Sequence, residues 1–115
     1  MAFTELEQKR IEKAASRFIE KHRPAAHIRP ELDLGFRLKG QSIEIFEIRP
    51  VWKAEHPKQE RPVAKATYIK TQEIWRIYWQ RADLKWHRYE PIPDVESIDE
   101  FLTVVGQDEY CCFWG

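Results

Sequence analysis

Ile74-Trp-Arg-Ile-Tyr-Trp-Gln-Arg-Ala-Asp-Leu-Lys-Trp-His-Arg-Tyr89 holds three of the five tryptophans and two of the four tyrosines of a 115-residue chain, interleaved with Arg76, Arg81, Lys85 and Arg88. Side chains alternate between the two faces of a strand. Ile74 to Gln80 therefore reads as a strand with Trp75, Ile77 and Trp79 on a core face and Arg76, Tyr78 and Gln80 on the other. Arg81 to Lys85 closes a hairpin, and Trp86 to Glu90 returns as a second strand before Pro91 and Pro93 end it. Pairing Tyr78 with Arg88 sets Arg76 against Glu90 and Gln80 against Trp86, all six on the face away from the core.

Working upstream, Val63 to Lys70 is a strand that turns near Thr71-Gln72 into Ile74. The register of a two-residue turn places Ala64, Ala66 and Tyr68 opposite Trp79, Ile77 and Trp75, and small residues facing large rings fill an interior without voids. Before it, Leu32, Leu34, Phe36 and Leu38 alternate with Asp33, Gly35, Arg37 and Lys39. Gly40-Gln41 suits a tight turn with glycine first. That turn pairs Leu38 with Ile43 and Phe36 with Ile45 on one face, and Arg37 with Glu44 and Gly35 with Phe46 on the other. Pro50 to Pro62 reads as a polar, mobile connection with Trp52 as an anchor at the core edge.

Two helices flank these strands. Thr4 and Glu7 form a capping box, and Leu6, Ile11, Ala14, Ala15, Phe18, Ile19 and His22 make one apolar stripe that Pro24 stops. Pro24 to Pro30 connects this helix to the first strand. Ser97 and Glu100 open a short second helix (Ile98, Phe101, Leu102, Val105) that Gly106 is expected to terminate. The ending Asp108-Glu-Tyr-Cys-Cys-Phe-Trp-Gly115 is too aromatic to stand in water, so Phe113 or Trp114 should dock. The fold expected is α+β, one domain over residues 1–115. An N-terminal helix packs on a curved, five-stranded antiparallel meander, followed by a short C-terminal helix and the docked tail. A sheet bent into a small barrel is the alternative.

Composition narrows the function classes. Hydrophobic residues at 43% and charged residues at 33% fit a folded domain. No apolar run reaches the roughly 18 residues that span a bilayer, and the N-terminus lacks the order of a secretory signal, so a cytoplasmic protein without a membrane role is expected. Cys111 and Cys112 are adjacent and have no third cysteine to pair with, which points to reduced thiols. All 19 Lys and Arg fall in residues 1–90 with 13 of the acids, whereas residues 91–115 hold six acids and no base. The acidic tail is expected to fold back on the basic body, the rival reading being mimicry of an acidic partner.

Several segments together carry a family resemblance: Pro24-Ala-Ala-His-Ile-Arg-Pro-Glu-Leu-Asp33, Gly40-Gln-Ser, Phe46-Glu-Ile-Arg-Pro50, Tyr78-Trp-Gln-Arg-Ala-Asp-Leu-Lys-Trp-His87, Tyr89-Glu-Pro91 and Cys112-Phe-Trp-Gly115. With these, the chain resembles the domain-of-unknown-function family 3024, short stand-alone bacterial proteins, over essentially its whole length. The resemblance implies a bacterial cytoplasmic protein and brings no activity and no residue roles.

The residues themselves offer little catalytic chemistry. His22, His27, His56, His87, Cys111 and Cys112 fall into none of the spacings that hold zinc. The glycines form no phosphate-binding loop, and no cofactor is implied. A metal-dependent hydrolase or nuclease would use the helix acids Glu12 and Glu20, Asp33 and Glu47-Ile48-Arg49 to hold a divalent cation, but an arginine stands where a proton-shuttling lysine is needed. The reading that uses the opening segment is non-enzymatic. Arg76, Tyr78, Arg81, Trp86 and Arg88 form an arginine-aromatic strand face for a protein partner, a homodimer being one form. The alternative is single-stranded nucleic acid, whose bases would stack on Tyr78 and Trp86 between cations. Arginine stems also cover aromatic rings simply to shield them from water.

Overall fold

The computed structural model describes residues 3–50, 58–110 and 112–114. Helix α1 (Glu5–His22) leads into strands β1 (Asp33–Lys39), β2 (Ser42–Pro50), β3 (Lys58–Ile69), β4 (Ile74–Gln80), β5 (Trp86–Arg88) and β6 (Asp94–Val95), and helix α2 (Ile98–Gln107) follows. The sheet is an antiparallel meander in the order β1-β2-β3-β4-β5, with β6 also pairing with β4. The α+β expectation therefore holds, with one strand more than the five expected.

The capping box opens α1 as read: the Thr4 hydroxyl accepts from Glu7 N, and Glu7 Oε1 accepts from Thr4 N. Ile11, Ala15, Phe18 and Ile19 bury the stripe, whereas Leu6 is exposed and drops out of it. The first hairpin has the expected register, Leu38 with Ile43 and Phe36 with Ile45. So has the second, with Ala64, Ala66 and Tyr68 opposite Trp79, Ile77 and Trp75. Its turn is wider than two residues: the strands end at Ile69 and Ile74, and Lys70–Glu73 close the loop with Glu73 at φ 53°.

Three boundaries differ from the reading. Strand pairing continues through Pro50 on β2 and from Lys58 on β3, so Lys58–Arg61 is strand and not connection. Pro62 sits within β3 where the register shifts after Ile45, leaving Val63 as an extra residue. A proline that cannot donate to the ladder is tolerated at such a bulge. The expectations for Trp52 and for a mobile connection fall on residues 51–57, outside the described residues.

The second difference is at β5, which ends at Arg88. Tyr89 turns into the core and donates its N–H to Ile77 O, and the chain returns at β6. Arg76 consequently pairs with Asp94, not with Glu90. The third is the end of α2. Gly106 lies inside the helix, and Asp108 caps it in the left-handed region at φ 40°. What Gly106 provides is close approach: a Cβ there would fall 3.1 Å from His22 Nε2.

One core lies between the sheet and the two helices. Ile43, Ile45, Ala64, Ala66 and Ile77 line it from the sheet, with Ile11, Ala15 and Phe18 of α1 and Phe101 and Val105 of α2 opposite. The tail closes its end. Asp108 accepts from Phe113 N and Trp114 N, the Trp114 indole donates to Val105 O at 2.9 Å, and the Phe113 ring lies 4.7 Å from Tyr89. Both aromatic residues of the expected pair are thus engaged.

Candidate functional site

The tail and both helices lie on one side of the sheet, so the opposite face is left without a covering layer among the described residues. That outer face is built in rows by the register. One row crosses five strands as Arg37, Glu44, Lys65, Tyr78 and Arg88. A second runs Lys39, Ser42, Thr67, Arg76 and Asp94.

Each row is tied together by its own polar contacts. Arg37 lies 3.5 Å from Glu44, also pairs with Glu60, and stacks its guanidinium 4.5 Å from the Phe46 ring centre. The Phe46 ring in turn covers Gly35, where a Cβ would stand 2.7 Å from it. The pairing of Gly35 with Phe46 expected from sequence is therefore present, and it sets an aromatic ring over a strand glycine. In the second row the hydroxyls of Ser42 and Thr67 share a 2.8 Å hydrogen bond, and Arg76 Nε donates to Asp94 at 3.0 Å.

The aromatic pair is the centre of the face. The Lys65 ammonium lies 5.4 Å from the Tyr78 ring centre and 5.5 Å from that of Trp86, so one cation bridges two half-buried rings. Such contacts add about 0.5–1 kcal/mol at exposed sites. Lys65 was not among the residues singled out from sequence, although the register that pairs Ala64 with Trp79 already sets Lys65 opposite Tyr78.

Of the five residues singled out, Tyr78, Trp86 and Arg88 come together on this face, with Arg88 exposed and directly opposite Tyr78. Arg76 shares the face but is held by Asp94. Arg81 leaves it, its guanidinium lying 5.6 Å from the Trp79 ring centre, on the core-facing side of β4. The β4–β5 hairpin tip ends the face. Asp83 accepts from Lys85 N and bonds His87 Nε2 at 2.8 Å, which together hold its carboxyl below the usual carboxylate range. Leu84 stands there 77% exposed and at φ 64°, a conformation that glycine adopts more cheaply.

The carboxylates of the hydrolase layout are engaged elsewhere. Both Asp33 oxygens accept from Arg23, at 3.0 and 2.6 Å, which draws the Asp33 carboxyl below its ordinary range. Glu47 pairs with Leu34 across the inner face, and Asp33 alternates to the other. The two acids therefore do not converge on one point. Among the described residues no three of His, Cys, Asp and Glu gather as metal ligands. No helix among them is long and apolar enough to cross a membrane.

The folding-back of the acidic end takes one specific form. Asp94 is ion-paired with Arg76 of the body, and Asp108 serves the tail as a cap. Among protein families, the model described as "Domain of unknown function (DUF3024)" matches residues 3–115. No curated protein and no solved structure matches the chain.

Proposed function

The chain belongs to the DUF3024 family, whose description names no activity, and from its residues we propose a non-enzymatic interaction module whose outer sheet face docks a second copy of the same chain. The observation that carries this reading is the bridged pair Tyr78 and Trp86 under Lys65, flanked by Arg88, on a face that neither helix nor tail covers. Tyrosine, tryptophan and arginine are the residues enriched at the centres of protein interfaces.

Self-association is favoured over an acidic partner by the distribution of charge. Each row carries both signs, with Glu44 between Arg37 and Lys65 and Asp94 beside Arg76. A copy related by a two-fold axis can set positive against negative groups, the self-complementarity that an isologous interface requires. Formal net charge is zero, so no chain-wide repulsion opposes the approach of two copies. The exposed Leu84 at the hairpin tip extends the same edge with an apolar group.

Sedimentation equilibrium tests the reading directly. Wild-type protein should sediment at twice the monomer mass, and Trp86→Ala and Arg88→Glu should sediment as folded monomers by circular dichroism. A wild type that stays monomeric across the accessible concentration range overturns it. If that monomer binds a fluorescent oligothymidylate, and added salt weakens the binding, the same two rings are stacking platforms for single-stranded nucleic acid.

A further inference from the structure

The opposite side of the sheet holds a second feature, which the docking face does not use. Where the last turns of α1 and α2 meet β1, β2 and the tail, a cleft of about 360 Å³ opens, walled by Leu32, Leu34 and Trp114, with His22, Glu47 and Gly106 at its polar end. That volume lies within the range of about 300–1,000 Å³ typical of small-molecule sites, which are apolar clefts with a few placed polar groups.

The charged group that lines it is a carboxylate. Glu47 is the buried charged residue of the described core, 8% exposed. Its Oε2 takes Arg49 at 3.1 Å, and its Oε1 has no hydrogen-bond partner among the described residues. No buried side-chain oxygen among the described residues lacks a partner, so Oε1 is open to solvent and can take a donor from the cleft, while the half-exposed Arg49 guanidinium holds Oε2. Two helices also end here. The C-terminus of a helix carries a partial negative charge, and α2 has no basic residue in its last turn to offset it. Burial, and then the Lys21 ammonium, lower the affinity of His22 for a proton.

The wall is fixed in position. Trp114, which lines the cleft, is held by the indole N–H bond to Val105 O and by Asp108 at the backbone, so this wall needs no reorganisation. Gly106 lets His22 sit against α2, where any Cβ would crowd it. From the carboxylate, the end of α2 and the aromatic wall, we infer that this cleft binds a small organic cation, an ammonium group carried on an apolar body. The ammonium donates to Glu47 Oε1, and the apolar body lies against Leu32, Leu34 and the Trp114 ring.

Calorimetric titration with 2-phenylethylammonium tests this, against 2-phenylethanol as the neutral shape and 3-phenylpropionate as the anion. Saturable binding of the ammonium is expected, with the alcohol and the anion each about tenfold weaker or more. Glu47→Gln should weaken the ammonium by a similar factor and leave the alcohol unchanged. Should Glu47→Gln fail to fold, Leu32→Lys, a part-exposed position, should fill the cleft with its own ammonium and abolish binding in a folded protein. Equal affinity for ammonium and alcohol, no saturation by the ammonium, or unimpaired binding by a folded Glu47→Gln or Leu32→Lys variant would each overturn the assignment.

Discussion

The two faces of the sheet are made from alternate residues of the same strands, and they answer to different physics. The inner face is a set of small and branched apolar side chains (Ile43, Ile45, Ala64, Ala66, Ile77) with no measurable exposure. The outer face is a set of paired charges around two half-buried rings. Apolar burial supplies stability roughly in proportion to area, whereas partly exposed ion pairs supply little, a median of about 0–1 kcal/mol. The contrast teaches that the inner residues hold the fold while the outer ones are free to serve recognition.

The largest test of that contrast is Ile77→Ala. Ile77 is completely buried at the middle of β4, and truncating such a residue costs about 2–5 kcal/mol through lost transfer energy and the cavity left behind. A lowered urea midpoint with an unchanged slope is the expected result. A loss below about 1 kcal/mol would mean that the inner face does not carry the stability assigned to it.

Next is Asp108→Ala, which reaches the inner face through the tail. The substitution removes the acceptor for Phe113 N and Trp114 N and puts alanine in the left-handed region. A loss of about 2 kcal/mol is expected, from charge-assisted hydrogen bonds and backbone strain together. Asp108→Asn, which tolerates that conformation, should lose less. Trimming of the tail by a carboxypeptidase should speed up in the same order. If both variants are trimmed at the wild-type rate, the tail is held by its rings alone.

How legible was this division in advance? Both hairpin registers could be read from sequence because period-two alternation rules out a slip by one residue, which would expose Ile43 or Ile77, and the position of the turn selects among the even registers that remain. The outward set Tyr78, Trp86 and Arg88 followed from the same alternation. Arg81 was grouped with them against it: two residues past Trp79, the same alternation assigns it to the core-facing side, where its guanidinium lies over the Trp79 ring. Strand β6 was hidden by its length: Asp94–Val95 leaves no periodic trace, and Pro91 and Pro93 read as an end and not as a detour. Gly106 was misread because glycine after an apolar run is the usual stop signal. Its actual reason, the nearness of His22, is a tertiary contact between segments 84 residues apart. The cleft with Glu47 was illegible for the same cause, since its lining comes from five separate segments.

Leu84→Gly sharpens the comparison at its rim. Leu84 holds φ 64° with its side chain in solvent, and relieving a left-handed non-glycine residue is worth about 1–2 kcal/mol, partly offset by the greater chain entropy of glycine. A gain of about 1 kcal/mol in the isolated chain is expected by thermal unfolding at low concentration. Because the leucine also extends the proposed docking edge, the same change should weaken self-association in sedimentation. A variant that is destabilised as a monomer would show that Leu84 packs within its own chain, which would shrink the outer face.

The smallest effect on stability, and the most discriminating, is expected for Arg88→Ala. Arg88 is exposed, opposite Tyr78, and has no ion pair among the described residues, so its removal should shift the unfolding free energy by no more than about 0.5 kcal/mol. Ile77→Ala lies eleven residues away in sequence, on the neighbouring strand and the other face. The two changes should add when combined, since they share no partner. If Arg88→Ala leaves stability untouched and abolishes the dimer, the separation between a face that folds and a face that recognises holds at single-residue resolution. If it instead destabilises the monomer as much as a core truncation does, Arg88 is covering Tyr78 for the sake of the fold, and the outer face loses the residue on which its role in recognition chiefly depends.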